Sequence, residues 1–167
     1  MRVLGIDCGS EYTGYGVVEQ RQNRELLCCI SGAIRLKSRD AMAAKLQQIF
    51  TGLTGIIAEQ QPDIVAIEDV FYALNVKSAL KLGQVRGVAM LAASSCGLEV
   101  AEYSPLSIKS AVVGYGRAEK QQVQQMVMRL LKLSVAPEPS DASDALAIAI
   151  CHIHTAATMN RYQAATS

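Results

Sequence analysis

Hydrophobic residues group along the chain into short runs that predict five strands. Residues 2–6, residues 14–19 and the segment "ELLCCISGAIRL" predict three of them, with the glycines of "DCGSEYTGYG" marking a tight return between the first two. The unbroken apolar run in "DIVAIEDV" is typical of a strand that is buried on both faces, and we therefore expect it to be central in its sheet. The segment "LEVAEY" predicts a short fifth strand.

Apolar residues at helical spacing predict the remaining elements. An amphipathic helix is predicted over 40–60 and a long helix over 75–95, in which Gly83 and Gly87 lie four residues apart. The further predicted helices cover 105–113, 119–132 and 141 to about 157. We expect residues 158–167 to form a flexible C-terminal tail, which leaves a single α/β domain over residues 1–157.

The composition is that of a packed globular protein. Half of the 167 residues are hydrophobic, 19% are charged, and no low-complexity block interrupts the sequence. No run approaches the ~18 apolar residues of a membrane span, so we expect no membrane partner. The five cysteines form no C-x-x-C pair, which indicates neither a disulfide framework nor a zinc site. A location in the reducing cytoplasm is the expectation that follows.

The charge of the protein is unevenly distributed along the chain. The net charge is only +1, yet the segment from Phe71 to Val135 contains eight lysines and arginines and only three acidic residues. Because these bases concentrate in one part of the sequence, a basic face suited to nucleic acid is compatible with a nearly neutral protein.

Four acidic residues stand where a functional site is expected. Asp7 ends the first predicted strand and Glu68 ends the buried one, and ligands of parallel sheets bind outside such carboxyl ends. Ser140 is a suitable N-cap for the last helix, so Asp141 and Asp144 fall in its first turn, on one face. Two simpler interpretations remain open, namely that the helical acids only complement the helix dipole and that the strand-end acids only reach water.

Converging carboxylates restrict the chemistry of such a site. They repel one another, which favours either protonation or hard divalent cations. An all-oxygen donor set indicates Mg²⁺ or Mn²⁺ rather than zinc. His152 would lie ~12 Å deeper along the helix than Asp144, so we expect His152 and His154 to be packing or surface residues rather than ligands.

Four segments of the sequence, in order, resemble successive motifs of a known nuclease family. They are "GIDCGSEYTGYGVV", "DIVAIEDVFYALNVKSALKLGQVRGVA", "YSPLSIKSAVVGYGRAEKQQVQQMV" and "SDASDALAIAICH". The chain is similar over about residues 2–154 to the RuvC family of crossover junction endodeoxyribonucleases, which resolve Holliday junctions in DNA recombination and repair. This resemblance implies a ribonuclease H-like nuclease domain over 1–157, with a five-stranded mixed sheet flanked by helices, in which the first three strands are antiparallel.

The resemblance also implies a set of catalytic residues and a reaction. The four acids Asp7, Glu68, Asp141 and Asp144 match the catalytic, metal-binding acids of the family, which use two Mg²⁺ ions per active site, with Mn²⁺ as a substitute. The reaction is phosphodiester hydrolysis by water, made as paired symmetric cuts. Cys8 stands where the family usually has proline, which could loosen the turn or add an adventitious ligand for soft metals.

DNA contacts and partners follow from the same resemblance. Phe71 matches an aromatic residue that stacks on bases at the junction core, although a buried phenylalanine is the simpler interpretation. Lys109 and Lys120 match lysines near the scissile phosphate, although ordinary solvated lysines remain an alternative. The further candidate phosphate contacts are Lys77, Lys81, Arg86 and Arg117. The implied partners are four-way junction DNA, the branch-migration proteins RuvA and RuvB, and a second copy of this chain. The helical spacing of Leu80, Gly83, Gly87 and Leu91 forms a stripe that could pack against its own copy, although it could instead pack only on the protein's own sheet.

The sequence also bears on three rival functions. The start "GIDCGS" also resembles phosphotransferases of the actin and sugar-kinase superfamily, but these need a second domain and a second phosphate-binding motif, which 167 residues cannot house. A non-catalytic binder of DNA structures is disfavoured because all four acids are present. Another nuclease of the ribonuclease H-like group remains as an alternative.

Overall fold

The computed structural model describes residues 1–9, 11–69 and 75–166, with side chains as far as residue 159. Five strands and five helices follow one another in these ranges, in the order that the sequence predicts. They are β1 (Arg2–Cys8), β2 (Tyr12–Gln20), β3 (Leu26–Arg35), α1 (Met42–Gln60), β4 (Ile64–Glu68), α2 (Val76–Ser95), β5 (Val100–Tyr103), α3 (Pro105–Val113), α4 (Lys120–Leu130) and α5 (Ser140–Thr166).

The five strands form one mixed sheet in the order β3-β2-β1-β4-β5. The strands β1, β2 and β3 are antiparallel neighbours, whereas β4 runs parallel to β1 and β5 runs parallel to β4. The predicted five-stranded mixed sheet and its antiparallel first three strands are therefore confirmed. The central strand is β1, whereas β4, which was expected to be central, lies between β1 and β5 and is buried on both faces as predicted. Because β4 runs parallel to its neighbour β1, the carboxyl ends of these two strands meet at the same edge of the sheet.

Alternating side chains of the strands build two hydrophobic cores, one on each face of the sheet. Leu4 and Ile6 face α1 and α2, where the helical stripe of Ile49, Leu53 and Ile57 is buried as its spacing predicts. On the opposite face, Val3, Val18 and Ala66 pack against α3, α4 and α5. The helix α5 is buried along much of its length, and it covers the middle of the sheet.

Two glycines allow α5 to lie unusually close to the strands. A Cβ atom added at Gly5 would lie 2.0 Å from the carbonyl oxygen of Ala145, and one at Gly14 would lie 2.1 Å from that of Asp141. Only hydrogen fits at these positions, because such distances are far below van der Waals contact. The two glycines therefore determine how near the amino end of α5 comes to the end of β1.

We expect Gly14→Ala to lower the free energy of unfolding by about 1–3 kcal/mol, the usual cost of forcing a methyl group into a packed interface. Gly55→Ala is the matched control, since a Cβ at Gly55 on α1 meets nothing within 4 Å. The control should be neutral or more stable, because alanine is the better helix former. Urea unfolding measures the stability of both variants. Equal unfolding midpoints for the two variants would contradict the close approach of α5 to Gly14.

The last helix differs from its prediction at both ends. The Pro139 carbonyl accepts a hydrogen bond from the Ala142 N–H at 2.9 Å, so Ser140 is the first helical residue rather than the cap, and Asp144 begins the second turn. The helix also continues to Thr166 instead of ending near 157, because residues 156–166 contain neither glycine nor proline. The flexibility of residues 158–167 stays a prediction.

In the part of the chain that the structure describes, none of the helices combines the length and hydropathy that a membrane-spanning segment requires.

Candidate functional site

Asp7 and Glu68 lie side by side at the carboxyl ends of β1 and β4. The parallel register pairs Ile6 with Ile67, so the two acids follow at equivalent positions of neighbouring strands. Because Ile6 and Ile67 belong to the core beneath α1 and α2, alternation turns the next residue of each strand to the opposite face. Both carboxylates are therefore presented on the face that α5 covers.

The helix α5 brings the other two acids to this edge. The backbone of Asp141 packs against Gly14, which is the register partner of Asp7 on β2. Asp144, one turn further along, lines a cavity of about 220 Å³ together with Asp7 and Glu68. The structure thus brings the four predicted acids to one place, from two strands and one helix.

Burial and mutual repulsion make this cluster electrostatically costly. Burial, followed by the charges of Asp144, Glu68 and Asp141, raises the pKa of Asp7 to about 7. The pKa of Glu68 is also raised, first by burial and then by Asp144, while Lys109 and Lys120 act in the opposite direction. Full ionisation of all four acids at neutral pH would therefore require compensation by cations.

Lys120 supplies part of that compensation. Its Nζ atom donates a hydrogen bond to the Asp144 carboxylate at 2.6 Å, and this bond raises the pKa of the lysine. Lys120 is the first residue of α4, whose amino end is fixed by reciprocal hydrogen bonds between Glu119 and Gln122. Lys109, on α3, lines the same cavity. Both lysines predicted to lie near the scissile phosphate are therefore beside the acids.

The donor set suits a hard divalent cation, although it is not preassembled around one. Among the described residues, no three His, Cys, Asp or Glu side chains are already gathered into a group that could hold a metal ion. One oxygen of Asp144 is held by Lys120, so a metal ion would compete with that ammonium group. A donor set made only of carboxylates fits Mg²⁺ or Mn²⁺. The raised pKa of Asp7 fits them as well, since a bound cation relieves the repulsion among the carboxylates.

The other predicted DNA contacts lie around this edge or outside the described ranges. Lys77 and Lys81 are exposed on the first turns of α2, and Arg117 is exposed in the loop before Lys120. Phe71 falls among residues 70–74, which lie outside the described part of the chain. For these residues the contact with DNA stays a prediction.

Arg86 has partners within the protein that the sequence did not suggest. Its guanidinium donates to the Glu68 carbonyl oxygen at 3.4 Å, lies 3.5 Å from the Asp69 carboxylate and pairs with Glu102. These contacts tie α2 to the ends of β4 and β5, and they hold the backbone of Glu68 in place. Arg86 therefore stabilises the backbone beside the acids. Its predicted contact with a phosphate is not tested by this geometry. No local pattern links these residues, because they come together only when α2 packs on the sheet.

Cys8 and the two histidines are not placed as metal ligands in the described site. Cys8 packs beside the core under α1 and α2, and burial raises the pKa of its thiol to about 12, so it stays protonated at neutral pH. His152 hydrogen-bonds Tyr103 at 2.8 Å, and His154 contacts the Ala111 carbonyl at 2.9 Å. Both histidines are packing residues, as expected.

Comparison with known proteins gives a consistent match over nearly the whole chain. The family model described as "Crossover junction endodeoxyribonuclease RuvC" matches residues 3–152. A curated relative of that name from Koribacter versatilis is 63% identical over 164 residues, which cover 98% of this chain and 99% of the relative. Another from Citrifermentans bemidjiense is 55% identical over 157 residues, with 93% and 94% covered.

Solved structures show the same similarity in three dimensions. The structure of Thermus thermophilus RuvC superposes with a TM-score of 0.86 at 31% identity, covering 95% of this chain and 96% of that one. The same protein in complex with a Holliday junction substrate superposes with a TM-score of 0.89 at 31% identity, with 93% and 94% covered.

Proposed function

This chain belongs to the RuvC family of crossover junction endodeoxyribonucleases, and we propose that its four clustered acids carry out the metal-dependent hydrolysis that resolves Holliday junctions. The observation that supports this proposal most strongly is the convergence of Asp7, Glu68 and Asp144 with two lysines around one cavity. The ribonuclease H-like fold is common to the family, so the chemistry of this cluster, and not the fold alone, supports the activity.

We assign Asp7, Glu68, Asp141 and Asp144 as the residues that would hold two Mg²⁺ ions, for which Mn²⁺ can substitute. When bound, such ions supply a more acidic water as the nucleophile and positive charge beside the leaving 3′ oxygen. The four carboxylates would orient these ions, and Ile108, Ala147 and Ile148 give the cavity an apolar wall that would limit the access of bulk water. The strand ends and α5 hold the acids on rigid elements, so little reorganisation is needed during the reaction.

The two lysines position the scissile strand in this proposal. Lys120 donates to the Asp144 carboxylate, so a cation held by Asp144 would compete for that oxygen and would leave the lysine's ammonium group available to a phosphate oxygen. Lys109 approaches the cavity from α3 and offsets the charge of Glu68. In this proposal each lysine binds a DNA phosphate and also reduces the electrostatic repulsion among the four carboxylates.

We expect Lys109→Ala and Lys120→Ala each to weaken junction binding and to reduce the salt slope of log Kobs by about one, since each removes one phosphate contact. Lys132→Ala is a matched control, because Lys132 pairs with Glu25. Binding titrations between 50 and 200 mM salt measure the slopes, as about one unit per contact is resolved over that range. Slopes equal to that of the control would show that neither lysine contacts a phosphate and that both are ordinary solvated residues.

A homodimer is part of the proposal, and the outer face of α2 supports it. Leu80 and Leu91 are 65% and 59% exposed, and a Cβ at Gly83 or Gly87 meets nothing within 4 Å. The opposite face of α2 is the one that packs on the protein's own core, so the stripe is left available for a partner. Two symmetric cuts in a two-fold junction are most simply matched by an isologous dimer. A partnership with RuvA and RuvB stays a prediction from the family.

The function is tested by incubating the protein with a synthetic four-way junction and, separately, with a linear duplex of the same sequence. With Mg²⁺ we expect paired nicks in two strands of like polarity in the junction, an intact duplex, and no cleavage in the presence of a chelator. Mn²⁺ should restore cleavage after the chelator has removed Mg²⁺. A parallel reaction in Ca²⁺ tests whether a divalent cation can support junction binding without cleavage. Equal cleavage of junction and duplex would contradict selectivity for junctions and favour another nuclease of the ribonuclease H-like group.

A further inference from the structure

A short basic loop borders a second groove, apart from the carboxylate cavity. We define the basic loop as residues 35–39, which lead from the end of β3 toward α1 and line a groove of about 720 Å³. Arg35, Lys37 and Arg39 are exposed, and among the described residues none of these three bases forms an ion pair. Glu11 lines the same groove. The basic loop therefore presents a concentrated positive charge that is available to an anionic ligand.

The backbone of the basic loop is held in place from several sides. Leu36 is buried, and its N–H donates to the Glu11 carbonyl at 2.9 Å. Two side chains of α1 bind loop carbonyls, since Gln48 donates to that of Arg35 at 3.0 Å and Lys45 donates to that of Ser38 at 3.2 Å. A loop fixed in this way loses less conformational entropy on binding than a mobile one, so the backbone that carries the three bases is preorganised.

The register of the sheet places the basic loop close to the acids. Arg35 pairs with Tyr12 on β2, and Asp7 pairs with Gly14 on the same strand, so the two lie on one face of the sheet. They are separated by two strand spacings and two residue rises, which corresponds to ~12 Å between Cα atoms. Lys109 and Lys120 line the cavity from α3 and α4, whereas the basic loop lies beyond β2 on the other side of Asp7.

We propose that the basic loop is a phosphate-binding site for a duplex arm of the DNA that the enzyme cuts. This inference rests on the proposed nuclease function and adds a contact surface to it. One strand of B-DNA carries a phosphate every ~3.4 Å along the helix axis, so ~12 Å corresponds to about three or four phosphates from the scissile one. Exposed arginine and lysine side chains bind phosphates without regard to base sequence. Such contacts suit a duplex arm that the enzyme positions without recognising its sequence.

The test is a triple variant, Arg35→Gln, Lys37→Gln and Arg39→Gln, assayed with the full chain and a four-way junction. We expect the salt slope of binding to fall by about two to three and the affinity at 0.15 M salt to fall at least ~10-fold, as for three lost phosphate contacts. Cleavage at saturating junction should keep its wild-type rate, because none of the three side chains lines the carboxylate cavity. Hydroxyl-radical footprinting should show lost protection a few nucleotides from the cut.

The control is a second triple variant with the same change in net charge: Arg21→Gln, Arg24→Gln and Lys132→Gln. These residues lie at the turn between β2 and β3 or contact it, at the opposite end of the sheet, and should leave the slope and footprint near wild type. Equal losses in both variants would show an effect of net charge alone and would overturn the proposed site, as would an unchanged footprint. A wild-type protein that failed to cut the junction would instead refute the nuclease function, so the two failures are distinguishable.

Discussion

Asp7→Asn is expected to bind a four-way junction at least as tightly as the wild type and to lose cleavage by at least ~10²-fold, a loss typical of a removed transition-state stabiliser. Asp7 is central in the cluster, since the charges of the other three acids all raise its pKa. The amide removes one negative charge that repels DNA phosphates, while it loses an oxygen donor of the metal site. Binding and chemistry should therefore separate in this variant.

Gel-shift titration in Ca²⁺ and single-turnover cleavage in Mg²⁺ measure the two effects. Glu59→Gln is the matched control, because Glu59 is an exposed acid on α1 and its removal changes the net charge equally. The control should cleave at the wild-type rate. Cleavage by Asp7→Asn at that same rate would exclude Asp7 from the active site.

Asp7→Asn is also expected to change how the free energy of unfolding depends on pH in the absence of metal. Asp7 has an ordinary pKa of 3.8, which the fold raises to about 7, so the folded protein without metal binds a proton more tightly than the unfolded chain. The wild type in chelator should therefore lose stability as the pH rises from about 4 to about 7, and the full penalty should remain above that range. Asp7→Asn lacks this penalty, so urea unfolding in chelator at pH 8 should show it to be more stable than the wild type.

Gly87→Glu is expected to give a folded monomer that makes no paired symmetric nicks. A side chain at Gly87 meets nothing within 4 Å in its own chain, and glutamate is a better helix former than glycine, so the monomer should not be destabilised. In the proposed dimer, however, the two copies of α2 face each other, and two buried glutamates would carry unpaired charge into an apolar contact. The variant therefore tests the interface rather than the fold.

Sedimentation at micromolar concentration measures the oligomeric state, and a plasmid with an extruded cruciform measures paired cutting. Paired cuts linearise the cruciform, whereas single cuts leave nicked circles. Gly55→Glu is the control, since Gly55 is an exposed glycine of α1 with equally open surroundings, and we expect it to stay dimeric and to linearise the plasmid. The dimer proposal is wrong if the wild type is monomeric both alone and on a junction that it cuts symmetrically.

Much of the fold could be predicted because the signals are local. The buried run that became β4 and the amphipathic stripe of α1 need only the burial of apolar side chains at periods of two and 3.6 residues. The predicted end of α5 is too early, because the apolar pattern fades before residue 157 while residues 156–166 contain no glycine or proline that would end the helix. Hydrophobic periodicity reports the packed part of a helix, and propensity decides how far the helix continues.

The sequence by itself determined the strands, the helices and the four acids at their ends, since each of these depends on residues that are neighbours along the chain. Only the tertiary structure decided which charges meet: Lys120 with Asp144 across 24 residues, Arg86 with the end of β4, and the basic loop on the face of Asp7. Such pairs depend on the order of strands in the sheet and on how closely α5 lies on Gly5 and Gly14. Local periodicity carries no record of these distances, because they are properties of the packed elements and not of any one segment.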